Sequence, residues 1–307
     1  MKTFITNIFS TSILFLTFCL FTCTSCINSI ADTDDLTEQQ SQQGVKDLTF
    51  QIEEYSVKPM ATTRATTTKD FKYIEAALYA KDGNGEYTRV QLVEKSSTDP
   101  EFMKVEFKQV KYGNYTLVII GHVADSHAVM TNPKAISFAN DFVPQMQYYT
   151  QELTVDANSS GSSSVALKLG IASFEVVLLE AIPTNVTTIA LTIDGTAKAF
   201  NAITGTGAEA VQRITSTSPS AKGEPNKKLS VSLWLMKEKE ELGTSSVTIK
   251  MDATDSADDN VATHTFSGVP LQRGYITTYK GNFFNPALGG FELSKQTEFG
   301  DGYQGEF

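Results

Sequence analysis

Two tandem β-sandwiches following a lipoprotein signal peptide are the architecture this sequence predicts, all-β throughout its body. Short runs of alternating apolar and polar residues recur every 8 to 15 residues. No window sustains a helical period over three turns. A Ser-rich break at residues 157–164 separates the runs into two sets. Together these features indicate packed antiparallel sheets rather than helical bundles or α/β layers.

The chain opens with Lys2 and then an uncharged stretch, residues 3–31, whose core from Ile8 to Cys23 is dominated by Phe, Leu, Ile and Thr. A basic start followed by an apolar core is the pattern of a secretory signal. Cys23-Thr24-Ser25-Cys26 places a small residue before a cysteine and resembles a bacterial lipobox, with Cys26 as the lipidated mature N-terminus. The alternatives are a plain signal peptide or an uncleaved anchor, since such a run could cross a hydrocarbon core of about 30 Å. From Thr37 to Gly44 the chain is polar and Gln-rich with nothing to bury, so residues 26–46 read as a tether. The 282 residues from Cys26 onward suffice for about two domains at ~150 residues each.

All 3 cysteines lie at or before Cys26, which excludes disulfides, Cys-ligated metals and a cysteine nucleophile from the body. The net charge is −10 with no basic stripe, which argues against nucleic acid as a partner.

The first domain is expected over 47–157. Leu48, Phe50 and Ile52 alternate with polar residues and form one face of a strand, and Tyr55 and Val57 resume the alternation out of phase, as a bulge would produce. Pro59 has no N–H and ends the pairing. The following segment, Ala61 to Thr68, is polar and carries a lone cation, Arg64, which makes it a hinge that a protease could cut. Phe71 to Ala80 and Tyr87 to Val93 flank the turn Lys81-Asp82-Gly83-Asn84-Gly85 and read as a hairpin. Phe102 to Val110 alternates cleanly, and Tyr115 to Val123 is a nearly continuous apolar run, as expected of a strand buried on both faces. A polar connection punctuated by Pro133 and Pro144 leads to a strand from Tyr148 to Val155.

Residues 158–164 read as the link, although a long hairpin loop would look the same, and 165–307 as the second domain. Its expected strands are Val165 to Leu169, Ile171 to Leu179, Ile189 to Ile193, then, after a turn at Asp194-Gly195, Ala197 to Ile203. Leu229 to Met236 follows, with Trp234 on the face opposite Leu229, Val231, Leu233 and Leu235. Val247 to Met251, Ala262 to Phe266 and Tyr275 to Phe283 complete the set. The tail, 285–307, spaces Leu288, Phe291, Leu293, Phe299, Tyr303 and Phe307 through Gly-rich polar sequence. It could be a donated strand or a last hairpin.

No catalytic constellation is present, and a non-enzyme with no cofactor is expected. His122 and His127 lie five positions apart around a strand end, with no third ligand near in sequence, and read as polar-loop residues. Asp255, Asp258, Asp259 and Asn260 lack the glycine and distal glutamate of an EF-hand loop and read as a solvated turn. No Gly-x-Ser-x-Gly elbow occurs.

Several stretches carry a family resemblance: YGNYTLVIIGH at 112–122, NPKAISF at 132–138, VALKLGIASFE at 165–175 leading to Ile182-Pro183, and VPLQRGYITTYKGNFF at 269–284. In these the chain resembles the fimbrillin family of Bacteroidales outer-membrane lipoproteins, the FimA/Mfa-like pilins and their FimB-like anchor relatives. Asp32, Asp34, Asp35 and Glu38 resemble the acidic patch that sends such lipoproteins to the cell surface. The resemblance implies two transthyretin-like, Greek-key sandwiches in a subunit of a surface pilus. Its implied partners are other fimbrial subunits, the outer membrane through a lipid at Cys26, and host or bacterial surface ligands. In stalk subunits an arginine-specific protease removes the first strand, and a strand from the next subunit fills the groove by sheet-edge addition. Carried over, the removable strand is Leu48 to Val57, the cut follows Arg64, and the donor is 285–307. Anchor relatives instead keep the lipidated end. An anchor or accessory role is the leading expectation, a stalk pilin the next. A lipoprotein binding glycan through Tyr148, Tyr149 and Trp234 is a third.

Overall fold

The computed structural model describes residues 44–53, 71–219 and 222–298. Among them every long element is a strand, and the only helical pieces are 3-10 turns at Ala139–Asp141 and Pro286–Leu288. The first sandwich contains β1 (Val45–Ile52), β2 (Tyr73–Lys81), β3 (Tyr87–Ser96), β4 (Lys104–Lys111), β5 (Gly113–His122), β6 (Met146–Val155), β7 (Ser162–Val165) and β8 (Lys168–Leu169). One of its sheets has the order β4-β1-β7 and the other β3-β2-β5-β6-β8. The second sandwich contains β9 (Ala172–Leu178), β10 (Thr188–Asn201), β11 (Thr206–Thr217), β12 (Lys227–Leu233), β13 (Thr248–Thr254), β14 (Asn260–Phe266), β15 (Tyr275–Gly281) and β16 (Glu292–Glu298). Its sheets run β11-β10-β13-β14 and β12-β9-β15-β16.

Three cores hold these layers. Leu48, Phe50 and Ile52 of β1 meet Ile74, Leu78, Leu117 and Ile119 between the sheets of the first sandwich. Phe174, Leu191, Leu229 and Met251 occupy the same position in the second. A third core lies where the back of the β2-β5-β6 sheet (Ala77, Tyr79, Val118, Ile120, Tyr148) meets Ala197, Phe200, Trp234 and Ile276. The third core explains the unbroken apolar run of β5, since Leu117 and Ile119 point into one core while Val118 and Ile120 point into another.

The chain departs from the expected elements in three places. Asp194-Gly195 makes no turn: β10 runs through it, and the register against β11 slips between Ile193 and Thr196. Gly195 sits at φ +84°, and a Cβ there would lie 2.4 Å from the Ser246 carbonyl oxygen, so this bulge requires glycine. The strand β11 is also unforeseen, because its exposed positions mix Glu209, Gln212 and Ser216 with Ala210 and Ile214, while Arg213, Thr215 and Thr217 lie half-buried on the other face, so it shows little apolar period. Finally, Ser162–Ser164 are strand residues lying parallel to β1, and the segment expected as one strand over 165–169 divides between β7 and β8, in different sheets.

Candidate functional site

β1 is the middle strand of its sheet. It pairs antiparallel with β4 from Val45↔Lys111 to Gln51↔Lys104 and parallel with β7 from Thr49↔Ser162 to Ile52↔Val165. Leu48, Phe50 and Ile52 point inward and are 4%, 4% and 2% exposed. The Phe50 ring meets Phe107 edge-on at 6.1 Å. Burying three such side chains supplies about 5–9 kcal/mol of hydrophobic driving force.

Polar groups fix the register. Between Lys46 and Leu48 the pairing skips, because β4 accommodates an extra residue with Gln109 at φ 52°. Asp47 fills this bulge: its Oδ1 accepts the Gln109 N–H at 2.8 Å and its Oδ2 the Lys108 ammonium at 3.3 Å. That backbone N–H, with Lys108, holds the Asp47 carboxyl below its ordinary value. The Lys46 ammonium donates to the carbonyls of Asp156, Ala157 and Ser159, clasping the turn before β7. Outside this contact a cleft of about 370 Å³ opens between β1 and β6, lined by Leu48, Phe50, Tyr149, Leu153 and Gly161 among others. The partner strand β7 offers Ser162, Ser163 and Ser164, all exposed, so it holds β1 chiefly through backbone hydrogen bonds. The arrangement is a bounded groove, filled by a strand that the chain itself supplies.

The remaining expected site residues are distributed as follows. Cys26, Tyr55, Val57, Arg64, Phe299, Tyr303 and Phe307 lie outside the described residues. β16 folds back antiparallel on β15, with every residue exposed except the half-buried Thr297. Leu288 and Leu293 are exposed, while Phe291 packs on His264 and Phe266 at ring separations of 4.8 and 4.9 Å. Tyr148 and Trp234 are 1% and 0% exposed, which removes them as glycan-presenting aromatics. Tyr149 borders the cleft beside β1 and donates its hydroxyl to Gln151 at 2.7 Å. His122, expected in a polar loop, is the fully buried last residue of β5. It lies with His127 near Glu75, and only the folded chain brings Glu75 to His127 from 52 residues away.

Comparison with solved structures finds this fold in a candidate adhesin from Bacteroides ovatus, with 13% identity and a TM-score of 0.50 over 78% of this chain and 88% of that one. Two further similar structures are the fimbrial anchor protein Mfa2 from Porphyromonas gingivalis and a fimbrial assembly protein from Parabacteroides distasonis. The first has 11% identity and a TM-score of 0.47, over 83% of this chain and 98% of that one. The second has 11% identity and a TM-score of 0.46, over 83% and 98%. No curated protein matches the sequence. A model of a family of unknown function, DUF6562, matches residues 38–303, and the chain belongs to that family.

Proposed function

We propose that this protein is a non-catalytic structural subunit of a cell-surface fimbria, an anchor or accessory lipoprotein held to the outer membrane at Cys26 and joined to its neighbours by strand addition. The observation that carries this reading is the position of β1. It is a central strand with three buried side chains, yet it continues to β2 only through a segment that includes Arg64. Retained, it ties the first sandwich to the lipidated end; removed, it leaves the groove between β4 and β7 for a strand of another subunit. The fold shared with a candidate adhesin is consistent with a surface role.

A polymerising stalk pilin is the second reading, favoured by β16. That strand buries almost no side chain, so its departure to serve as a donor would cost little apolar contact.

An arginine-specific protease applied to the purified, unlipidated full chain tests both. Resistance at Arg64, with the intact chain capping polymers of a partner pilin, supports the anchor. Cleavage after Arg64 followed by ladders on a gel supports the stalk pilin. If neither capping nor polymerisation occurs, strand addition is wrong for this chain. Cys26→Ala is expected to abolish membrane attachment in cell fractionation, and continued attachment would refute lipidation there.

A further inference from the structure

We propose that Glu75, Glu94 and His127 bind one divalent transition-metal ion of the zinc class, at the end of the first sandwich away from the β1 bulge. Glu75 on β2 and Glu94 on β3 are directly paired across antiparallel strands, so their side chains share a face. Like charges in that position repel. Among the described residues the ion-pair partners of these two carboxylates are histidines alone. His127, from the connection after β5, sets its Nδ1 2.6 Å from Glu75 Oε1 and 3.6 Å from Glu94 Oε1. One ligand atom from each residue lies within 4.8 Å of the others. Reaching the ~3.4 Å expected between ligands bonded at about 2.0–2.2 Å requires Glu94, whose side chain is 42% exposed, to rotate inward and the half-exposed His127 ring to draw back from its 2.6 Å contact with Glu75.

A second observation points into the same place. His122 is 0% exposed, and its Nε2 has no hydrogen-bond partner among the described residues, although it stands 3.6 Å from Glu75 Oε1. Its Nδ1 accepts the Ala124 N–H at 3.2 Å, which leaves the ring proton on Nε2, aimed at the carboxylate. An imidazole N–H directed at a ligating carboxylate is the arrangement that orients a metal's first shell. The Ala128 N–H holds both Glu75 oxygens at 2.9 and 3.1 Å, and the Tyr73 ring packs against His127 at 4.5 Å. One imidazole and two carboxylates suit zinc and its neighbours better than calcium, which takes six to eight oxygens. The ion binds Nδ1 of the neutral His127 ring in its Nε2–H tautomer, and the proton held between Nδ1 and Glu75 Oε1 moves to Nε2 or to solvent. Bound there, it clamps the β2–β3 hairpin to the connection after β5.

The test is titration of the EDTA-stripped full chain, purified in detergent, with zinc by calorimetry and with cobalt by visible absorption. One ion per chain is expected, with a cobalt spectrum of low coordination number and a raised unfolding temperature. His127→Ala and Glu94→Gln alter half-exposed side chains and are expected to fold, shown by metal-free unfolding temperatures near that of the unaltered chain. Each is expected to weaken binding at least about tenfold, whereas His264→Ala leaves it unchanged. Absence of saturable binding up to about 1 mM zinc overturns the proposal. So does binding that His127→Ala and Glu94→Gln leave within about threefold of the unaltered chain.

Discussion

Arg273 joins the two sandwiches with one side chain. Its Nη1 donates to the Tyr148 hydroxyl on β6 at 3.0 Å and to the Gly205 carbonyl between β10 and β11 at 2.5 Å, while Nη2 meets Glu238 at 2.7 Å. Gly205 makes room for it at φ +72°, where a Cβ would lie 2.1 Å from both the guanidinium and the Tyr148 hydroxyl. Arg273→Ala strands a carbonyl and a hydroxyl in a mostly enclosed site, and should lower stability by about 1–3 kcal/mol in denaturant titration. Arg273→Lys should recover only part of this, because an ammonium lacks the planar fork that reaches three acceptors at once. Arg273 falls within the stretch that carries the family resemblance, but its role is invisible in the sequence because Tyr148 lies 125 residues away. The same distance problem hides Glu75 from His127.

Among the strands, β1 has the clearest sequence signal and the largest functional consequence. Phe50→Ala removes a buried ring and should cost about 3–5 kcal/mol. In a chain nicked between β1 and β2, the same change should release the strand, read as loss of the N-terminal fragment in gel filtration under conditions where the nicked parent retains it. Asp47 gives a pH signature. Its folded carboxyl is depressed, so its contribution is fully present above the unfolded value of about 3.8 and fades as pH falls through the lower folded value. Asp47→Asn should therefore flatten the acid limb of unfolding temperature against pH below about pH 4. The alternation at Leu48, Phe50 and Ile52 is legible because one face is buried and the other is not. The failures have the same physical root. β7 is serine-rich, and β11 fully buries no side chain but alternates exposed with half-buried residues of mixed polarity, so neither carries an apolar period; Asp194-Gly195 resembles a turn because a glycine bulge uses the same residues.

The joining of the two sandwiches was the least legible feature, since residues such as Tyr148, Phe200 and Trp234 become a core only when distant strands meet. Trp234 follows β12 and packs between Phe138 and Phe200 at ring separations of 6.1 and 6.2 Å, and its carbonyl accepts the Ala197 N–H at 3.2 Å. It belongs to the core shared by the two sandwiches and to neither of the cores within them. A shared apolar core couples the unfolding of the units it joins, so the intact chain should melt in a single calorimetric transition. Trp234→Ala removes about 3–5 kcal/mol from that coupling while leaving the other two cores untouched. It should resolve the transition into two. Phe107→Ala, in the core beneath β1, serves as the control: it should lower the single transition without dividing it. Two transitions in the unaltered chain, or one in Trp234→Ala with its calorimetric and van't Hoff enthalpies still equal, would refute the coupling. A shared core of this kind suits the proposed fimbrial role, because force entering the first sandwich through β1 must cross it to reach the C-terminal strands.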